Sequence, residues 1–288
     1  MSKNPGKIII CGTPIGNLMD SSDRVFLALA EADLIYAEDT RVATKLLSGL
    51  EIPMKPIKRL DENTMAHGLD NLKQNVWDGK QIVYVSDAGM PGVSDPGLDI
   101  VRMARAEGLT LEVLPGPSAA ILAYVYSGFE TEDFYFAGFL PRKEGQIGDR
   151  INQLKDLNAA LIFYESPKRI IKSLDVFSNR LQSRKICLCR ELTKLHEEII
   201  FGTAEEIKDS LLEHFKSPEQ VKGEICFVID AAKCKTRAAA EQDLETAKNF
   251  LEDLKDSDLS NKDKSQLLVK YFDINKNTAY DLVLNEGE

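Results

Sequence analysis

The sequence lacks the features that mark membrane and secreted proteins. Apolar runs such as IIIC and AALIFY are short. Aromatic residues make up 7% of its 288 residues, with a single Trp. A membrane-spanning helix needs roughly 20 apolar residues. The first residues, MSKNPGK, have neither the apolar core nor the cleavage site of a secretory signal. We therefore expect a soluble, cytoplasmic protein.

Cysteine and histidine are too scattered to build a metal site. The five cysteines contain no CxxC pair, and the three histidines lie far apart in the sequence. Three of the cysteines fall in apolar, strand-like runs, which indicates buried, reduced thiols. We expect no metal. The positions concerned are Cys11, Cys187, Cys189, Cys226 and Cys234, with His67, His196 and His214.

Positive charge is also scarce. The 36 Lys and Arg residues are outnumbered by 46 Asp and Glu residues, for a formal net charge of −10. A protein that coats nucleic acid through its overall charge is normally basic, so the net charge argues against this class. A small basic patch is not excluded, because local charge can bind phosphates on an otherwise acidic surface.

Hydrophobic periodicity divides the chain into three regions. In residues 1–125, short apolar runs such as KIIICG and QIVYVSD alternate with amphipathic segments, which predicts an α/β domain with a mostly parallel sheet. A linker is expected at 126–133. Strand-like runs outnumber helical ones in residues 134–232 and predict a second α/β domain with a mixed sheet. Residues 236–288 show no strand pattern and predict a small helical domain.

The helical region ends in the layout of a helix-turn-helix. The segment LSNKDKSQLLVKYFDINKNTAYDLVL predicts a helix, a short turn and a second helix with Asn275 as its N-cap. Such a unit either reads DNA or serves as an appendage for docking or folding. The appendage is favoured, because this region carries more acids than bases.

Four segments rich in glycine, proline or charge follow predicted strands of the first domain: CGTPIGN, YAEDTR, SDAGMPGVSDPG and LPGPSAA. The carboxyl ends of parallel strands meet at one edge of a sheet, where α/β proteins bind ligands. The first segment matches no dinucleotide or nucleoside triphosphate motif, since Asn17 stands where a phosphate-binding Lys is required. Taken singly, each segment could also be a structural turn or a helix cap.

The longest of these segments, Ser86 to Gly97, exceeds what a simple turn requires. Gly89 and Gly92 can adopt positive φ, and two prolines stiffen the backbone around them. Asp95 is expected to cap the helix that follows. This composition indicates a backbone shaped around a ligand.

Eight segments together resemble a known family. GTPIGNLMD, AEDTR, SDAGMPGVSDPG, PGPSA, GFLPRK, FYESPKRI, RELTKLHEEI and the GE before the last strand are similar to motifs of the ribosomal RNA small subunit methyltransferase I family, in the tetrapyrrole methylase superfamily. The resemblance covers roughly residues 7–230, in order, and the principal motifs show no departure. The tail resembles the small helical domain at the end of some members.

The resemblance implies an activity and a cofactor. The family transfers a methyl group from S-adenosylmethionine to the ribose 2′-hydroxyl of a cytidine in the decoding region of 16S ribosomal RNA. Relatives bind the cofactor in the cleft between two α/β domains and are commonly homodimers. By the same resemblance, the cofactor would contact Thr13, Pro14, Asp87, Ala88, Met90, Val93, Ser118, Ala119, Phe163, Leu192 and Ile225.

The chemistry also implies a base and a set of cations. A carboxylate could take the proton of the ribose hydroxyl. Spacing does not choose among Glu38, Asp39 and Glu165. Cations in the motif segments could form a basic rim that engages RNA phosphates, although each alone could be a solvated surface charge. They are Arg41, Arg142, Lys143, Lys168, Arg169, Arg190 and Lys194.

Two other functions compete with this interpretation. A methyltransferase of the same superfamily that acts on a porphyrin-like ring would share the cofactor loops but would not need the basic residues. A module that docks DNA through its tail and has lost catalysis would not need intact cofactor loops.

Overall fold

The structure, a computed structural model, describes residues 6–181, 184–232, 237–255, 257, 259–272 and 276–285. The chain divides into two compact units, Met1–Ala232 and Lys233–Glu288. The first unit contains two five-stranded sheets. The fold class predicted from the sequence, α/β with one parallel and one mixed sheet, is therefore confirmed. No helix among the described residues is both long and apolar enough to cross a membrane.

The first sheet is entirely parallel, with the strand order β3-β2-β4-β1-β5. Its strands are β1 (Lys7–Cys11), β2 (Leu34–Ala37), β3 (Ile57–Arg59), β4 (Gln81–Val85) and β5 (Thr110–Leu114). The sequence pattern missed β3. This edge strand has three residues, of which two are charged and exposed, so it carries almost no hydrophobic signal.

Four helices cover the two faces of this sheet: α1 (Asp23–Glu31), α2 (Thr40–Gly49), α3 (Met65–Trp77) and α4 (Gly97–Ala106). Alternate strand residues point to opposite faces. Ile9 and Val83 therefore pack against α1 and α2, while Ile8 and Ile82 pack against α3 and α4. Burying each such side chain stabilises the fold by about 1.5–3 kcal/mol.

The second sheet is mixed, with the order β6-β7-β10-β8-β9. Its strands are β6 (Phe134–Phe139), β7 (Ala160–Glu165), β8 (Ile186–Arg190), β9 (Glu198–Gly202) and β10 (Ile225–Ile229). Strands β6 and β7 pair in parallel, and the other neighbours pair antiparallel. One face packs against α6 (Glu144–Leu154), α7 (Ile170–Leu181) and α8 (Ala204–Phe215).

The other face of the second sheet is covered by α5 (Ala119–Ser127), which follows directly from the first sheet. Ala120 and Ala123 of this helix pack against Ile162, Cys187 and Val228. The chain therefore passes from one sheet to the other at residues 115–118, between β5 and α5. The segment 128–133 then connects α5 to β6.

Two helical segments differ from the sequence pattern. Helix α6 was missed because Gly145 and Gly148 weaken its local signal; burial of Ile147 and Ile151 stabilises it. The segment PKRIIKSLDVFSNR predicts a helix with Pro167 in its first turn, whereas α7 begins at Ile170. The residues between them form a turn, in which the amide of Arg169 donates to the carbonyl of Ser166 at 2.9 Å.

Strand β6 contains a bulge that redirects one aromatic side chain. Phe136 pairs with Ile162 and Phe139 with Tyr164, so β6 uses one residue more than β7 over this stretch. Gly138 lies within the bulge at a φ of 71°. As a result the rings of Phe136 and Phe139 both pack against the ring of Tyr164 in edge-to-face geometry, with centroids 5.0 and 5.4 Å away.

The second unit is helical in its described part, with α9 (Arg237–Asp253), α10 (Asn261–Tyr271) and α11 (Lys276–Asn285). Its small core joins Leu251, Leu268 and Val283. Ser260 caps α10 by accepting from the amide of Asp263 at 3.2 Å. Asn275, predicted to cap the last helix, and Cys234 lie outside the described residues.

Candidate active site

The four predicted loops meet at the carboxyl edge of the first sheet, where the loop after β2 joins the loop after β4 through the hydrogen bond from the Asp39 amide to Asp87 Oδ1 at 3.1 Å. A Cβ atom on Gly12 would lie 2.6 Å from the Cα of Gly116, so the loops after β1 and β5 are in direct backbone contact. Thr13 and Gly89 exchange two backbone hydrogen bonds, of 2.9 and 3.1 Å. The loop after β4 is thereby joined to the other two.

The long loop after β4 is held in shape by Asp95. The carboxylate of Asp95 accepts from the amide of Gly92 at 2.9 Å and from the amide of Gly97 at 2.8 Å. Gly92 has a φ of 89°, which residues with a side chain rarely adopt. Asp95 thus receives an N–H of the first turn of α4, as predicted, although Pro96 occupies the N-cap position.

These loops form one wall of a cavity of about 420 Å³, termed the acidic cavity, and the second sheet forms the other wall. Most of the residues expected to bind the cofactor line it, as do two of the candidate bases, Glu38 and Glu165. Of the residues expected to bind the cofactor, the following line the cavity: Asp87, Ala88, Met90, Val93, Ser118, Ala119, Leu192 and Ile225.

Phe163 does not line this cavity. Its side chain is fully buried on the opposite face of the second sheet, where it stacks on Phe227 with centroids 5.5 Å apart. Because side chains alternate along a strand, the neighbouring Tyr164 faces the cavity instead. The residue of β7 that faces the cavity is therefore Tyr164, one position after the predicted Phe163.

Thr13 and Pro14 also lie outside the cavity lining. The side chain of Thr13 is buried, and its backbone supports the long loop through Gly89. Ile15, the next residue but one, reaches the cavity. Thr13 and Pro14 therefore lie behind the wall rather than on its surface.

The acidic cavity is named for its charge. Five carboxylates line it, and its lining contains no Lys or Arg among the residues that the structure describes. Burial, followed by the charges of Asp87 and Asp95, raises the pKa of the Glu38 carboxyl above its usual value. Burial likewise raises the pKa of Asp87, although its Oδ1 accepts from the amide of Asp39 at 3.1 Å.

The other two candidate bases are engaged by cations. Arg41 donates from Nε to the carboxylate of Asp39 at 3.0 Å and holds the pKa of that carboxyl well below its usual range. Asp39 also caps α2 by accepting from the amide of Arg41 at 2.8 Å, and it lies outside the cavity lining. Glu165 is buried, and its Oε2 accepts from Arg169 Nη2 at 3.1 Å.

Four of the seven cations expected to contact RNA lie together. They line a second cavity of about 340 Å³, termed the basic cavity, where α6 and α7 begin. A fifth cation, Lys172, joins them there and was not singled out from the sequence. The four predicted residues are Arg142, Lys143, Lys168 and Arg169.

The remaining three cations lie apart from this cavity. Arg41 is exposed beside Asp39. Lys194 forms ion pairs with Glu191 at 2.8 Å and with Glu224 at 3.2 Å.

Arg190 is a structural residue. It is 8% exposed, its Nε donates to Glu198 at 2.8 Å, and its guanidinium lies 5.0 Å from the centre of the Phe215 ring. These contacts leave it no open face for RNA, contrary to the expectation from the sequence. Its partners lie in other elements, so the motif alone did not reveal them.

Several lining residues were missed from the sequence, and some had a usable signal. Glu224 belongs to the GE segment before the last strand. Tyr164 follows from the alternation of β7 once Glu165 is placed. Phe139 depends on the bulge in β6, which the sequence does not reveal. The missed residues are Ile15, Ser86, Gly89, Ser94, Asp95, Phe139, Tyr164, Ser166, Pro167, Cys189, Gly223, Glu224 and Cys226.

Two cysteines, Cys189 and Cys226, line the acidic cavity. The four cysteines in the described part of the chain are buried and free. Within that part, no group of three or more His, Cys, Asp or Glu side chains could hold a metal ion.

The sequence of this chain is similar to the sequences of known proteins. The family model for Tetrapyrrole (Corrin/Porphyrin) Methylases matches residues 7–208. The chain is 41% identical, over 78% of its length and 76% of the relative, to "Ribosomal RNA small subunit methyltransferase I" of Halalkalibacterium halodurans. It is 33% identical to the protein of the same name from Neisseria meningitidis, over 97% of this chain and 94% of that one, a span that includes the tail.

Solved structures support the fold at lower identity. A diphthine synthase superposes with a TM-score of 0.62 at 14% identity, covering 78% of this chain and 90% of its own. A uroporphyrin-III C-methyltransferase from Thermus thermophilus, complexed with S-adenyl homocysteine, has a TM-score of 0.53 at 16% identity, covering 78% and 97%.

Proposed function

Because the chain belongs to the ribosomal RNA small subunit methyltransferase I family, we propose that it methylates the ribose 2′-hydroxyl of a cytidine in the decoding region of 16S ribosomal RNA, with S-adenosylmethionine as the methyl donor. The names of its relatives support the substrate. The observation that carries the proposal is the acidic cavity, which offers carboxylates and apolar walls between two sheets.

The residues of the acidic cavity fit S-adenosylmethionine. The cofactor bears positive charge on its sulfonium and amino groups, which carboxylates such as Glu38 and Asp87 attract. The same carboxylates would repel the phosphates of a nucleotide. Ser86 lines the cavity, and its buried Oγ has no hydrogen-bond partner among the described residues, so it offers the ligand a polar contact. A solved structure of the same fold holds S-adenyl homocysteine.

The two walls would divide the binding of the cofactor. The rigid loop from Asp87 to Val93 and the start of α5 at Ser118 present backbone groups at fixed positions. Leu192 and Ile225, from the second sheet side, present apolar surface on which the adenine would pack. Tyr164, rather than Phe163, would complete that surface.

Glu38 is the base that we propose for the ribose hydroxyl. The bound cofactor supplies a methyl group on a sulfonium that is already a good leaving group. The protein then has to align the hydroxyl and accept its proton. Glu38 lines the cavity, and its raised pKa makes it a better proton acceptor than an ordinary carboxylate.

Asp39 and Glu165 are poorer candidates for the same role. Asp39 is held ionised by Arg41, so it binds a proton weakly. Glu165 already accepts hydrogen bonds from Ser166, Ser173 and Arg169, which leaves it little capacity to accept a proton from the substrate. We propose that Glu165 instead holds the side chains of Arg169 and Ser173 in position.

The basic residues would bind the RNA. Arg142, Lys143 and Lys168 are exposed and lie in the basic cavity, where they can contact phosphates. Arg41 would add a contact beside the acidic cavity. A cytoplasmic location and a homodimer complete the proposal; buried free cysteines support a reducing compartment.

The test is transfer of labelled methyl groups to defined substrates. Purified protein is incubated with labelled S-adenosylmethionine and small ribosomal subunits from cells that lack the protein, and the RNA is mapped by mass. One ribose methyl on a decoding-region cytidine is expected. Methylation of a tetrapyrrole offered in a parallel reaction, with none on RNA, would overturn the proposal in favour of a small-molecule substrate.

A further inference from the structure

The basic cavity has more cations than its structural contacts require. Arg142, Lys143, Lys168 and Lys172 are exposed and form no ion pair within the described part of the chain. One carboxylate, Glu144, lines the cavity with them. Like charges held this close repel one another, so an anion that neutralises them would be bound favourably.

The backbone adds to this positive potential. The cavity is formed by the first turns of two helices, α6 of 11 residues and α7 of 12 residues. Lys143 at the N-cap of α6 makes no side-chain capping bond. The first amides of a helix lack partners inside it, and the helix dipole is positive at this end. Both features favour a phosphate-sized anion.

Hydrogen bonds of Glu165 connect the lining of the acidic cavity with the lining of the basic cavity. Glu165 lines the acidic cavity, and its Oε2 accepts from Ser173 Oγ at 2.7 Å and from Arg169 Nη2 at 3.1 Å. Ser173 and Arg169 line the basic cavity. A group in one cavity is therefore linked to a group in the other through Glu165 and its partners Ser173 and Arg169.

Arg169 holds the mouth of the basic cavity in shape. Its Nη2 also donates to the backbone carbonyls of Leu140 and Pro141. These bonds tie the segment that carries Arg142 to the start of α7. Arg169 is therefore a positioning residue, and the four unpaired cations are the ones available to a ligand.

We propose that the basic cavity binds one phosphodiester of the RNA, adjacent to the ribose that is methylated. This inference rests on the proposed function and adds to it a defined phosphate site, with Lys172 and the first turns of α6 and α7 as parts of it. A cationic methyl donor would enter the acidic cavity and an anionic phosphate the basic one. Opposite charges thus set the register of the target nucleotide.

The first experiment measures the salt dependence of binding. The full chain and the variant Lys168→Ala/Lys172→Ala are titrated with small ribosomal subunits over a range of salt. The variant is expected to bind about tenfold more weakly, with the slope of log K against log salt reduced by about 0.7–0.9, the loss of one phosphate contact. Affinity for S-adenosylhomocysteine, measured by calorimetry, should not change.

Lys80→Ala is the control for the loss of one positive charge, and it is compared with the single variant Lys168→Ala. Lys80 is exposed and precedes β4, at the edge of the first sheet opposite the cofactor loops, where it donates to Asn75 at 2.7 Å. The Lys80→Ala variant removes one positive charge, and it should leave the salt slope and the affinity for small ribosomal subunits unchanged. An equal loss in control and variant would overturn the proposal, because net charge alone would then explain the binding.

The second experiment locates the phosphate. Decoding-region RNA oligonucleotides, each with one neutral methylphosphonate linkage, are bound to the wild-type chain and to Lys168→Ala/Lys172→Ala. One linkage next to the target ribose should weaken wild-type binding about tenfold and have little further effect on the variant. Additive effects at every linkage, or no binding of the RNA at all, would overturn the phosphate site.

The two experiments separate this inference from the proposed function. Normal methylation of RNA with additive linkage effects would leave the function standing and remove the phosphate site. A linkage effect confined to the wild-type chain, with no methyl transfer to RNA, would leave the site standing and remove the proposed reaction.

Discussion

Gly12 and Gly116 lie so close that a Cβ on Gly12 would meet the Cα of Gly116 at 2.6 Å and the Sδ of Met90 at the same distance. Real Cβ atoms essentially never approach other atoms so closely. The contact therefore requires glycine, and it fixes the spacing between the loops that form one wall of the acidic cavity.

Gly12→Ala should separate these loops and weaken cofactor binding. We expect the affinity for S-adenosylhomocysteine, measured by calorimetry, to fall at least tenfold, because the backbone of Gly116 cannot yield as a side chain would. Gly145→Ala is the control: it has open space around its Cα and lies in a helix, where alanine is favoured by about 0.5–1 kcal/mol. Unchanged affinity in Gly12→Ala would contradict the role of this contact.

Glu38→Gln should remove the base without removing the cofactor site. We expect kcat to fall by about 10²–10⁴. In the wild-type chain only ionised Glu38 can accept the proton, so the rate should rise with pH through its raised pKa and level off above it. That inflection should be absent from the pH profile of the variant.

Asp39→Asn tests the competing base. Asparagine caps helices as well as aspartate does, so the stability of α2 should be preserved. We expect kcat to stay within a few-fold of wild type. A larger loss in Asp39→Asn than in Glu38→Gln would transfer the role of base to Asp39.

Arg190→Ala should destabilise the protein rather than its complex with RNA. Removing the guanidinium breaks the 2.8 Å ion pair with Glu198 and exposes the ring of Phe215. We expect the free energy of unfolding, from denaturant titration, to fall by about 2–4 kcal/mol. Arg142→Ala should show the reverse, with stability within about 0.5 kcal/mol of wild type and weaker RNA binding.

Substitution of Phe163 should lower the stability of the protein, whereas substitution of Tyr164 should lower its affinity for the cofactor. Phe163→Leu removes ring contacts in the core beneath the sheet and should cost about 1 kcal/mol or more of stability, with unchanged affinity for S-adenosylhomocysteine. Tyr164→Ala removes cavity surface and should weaken that affinity. Weaker cofactor binding in Phe163→Leu than in Tyr164→Ala would contradict the observed register.

The sequence allowed prediction of features that depend on local pattern. Strand periodicity and the loops that begin at Asp87 and Ser118 were sufficient to place one wall of the site, because parallel strands bring their ends together. Features that depend on distant partners were not predictable. The burial of Arg190 depends on Glu198 and Phe215, and the bulge that places Phe139 beside Tyr164 arises where β6 meets β7.

Helix α5 leaves the margin of one sheet and rests on the other, and the chain makes this crossing once, at residues 115–118. Any widening between the sheets must then pivot at that crossing. Ser118 and Ala119 lie next to the pivot and would hardly move. Glu224 and Phe139, on the second sheet side, would move away from the first sheet. We expect a ligand to enter the cavity past Glu224 and Phe139, while α5 keeps its position.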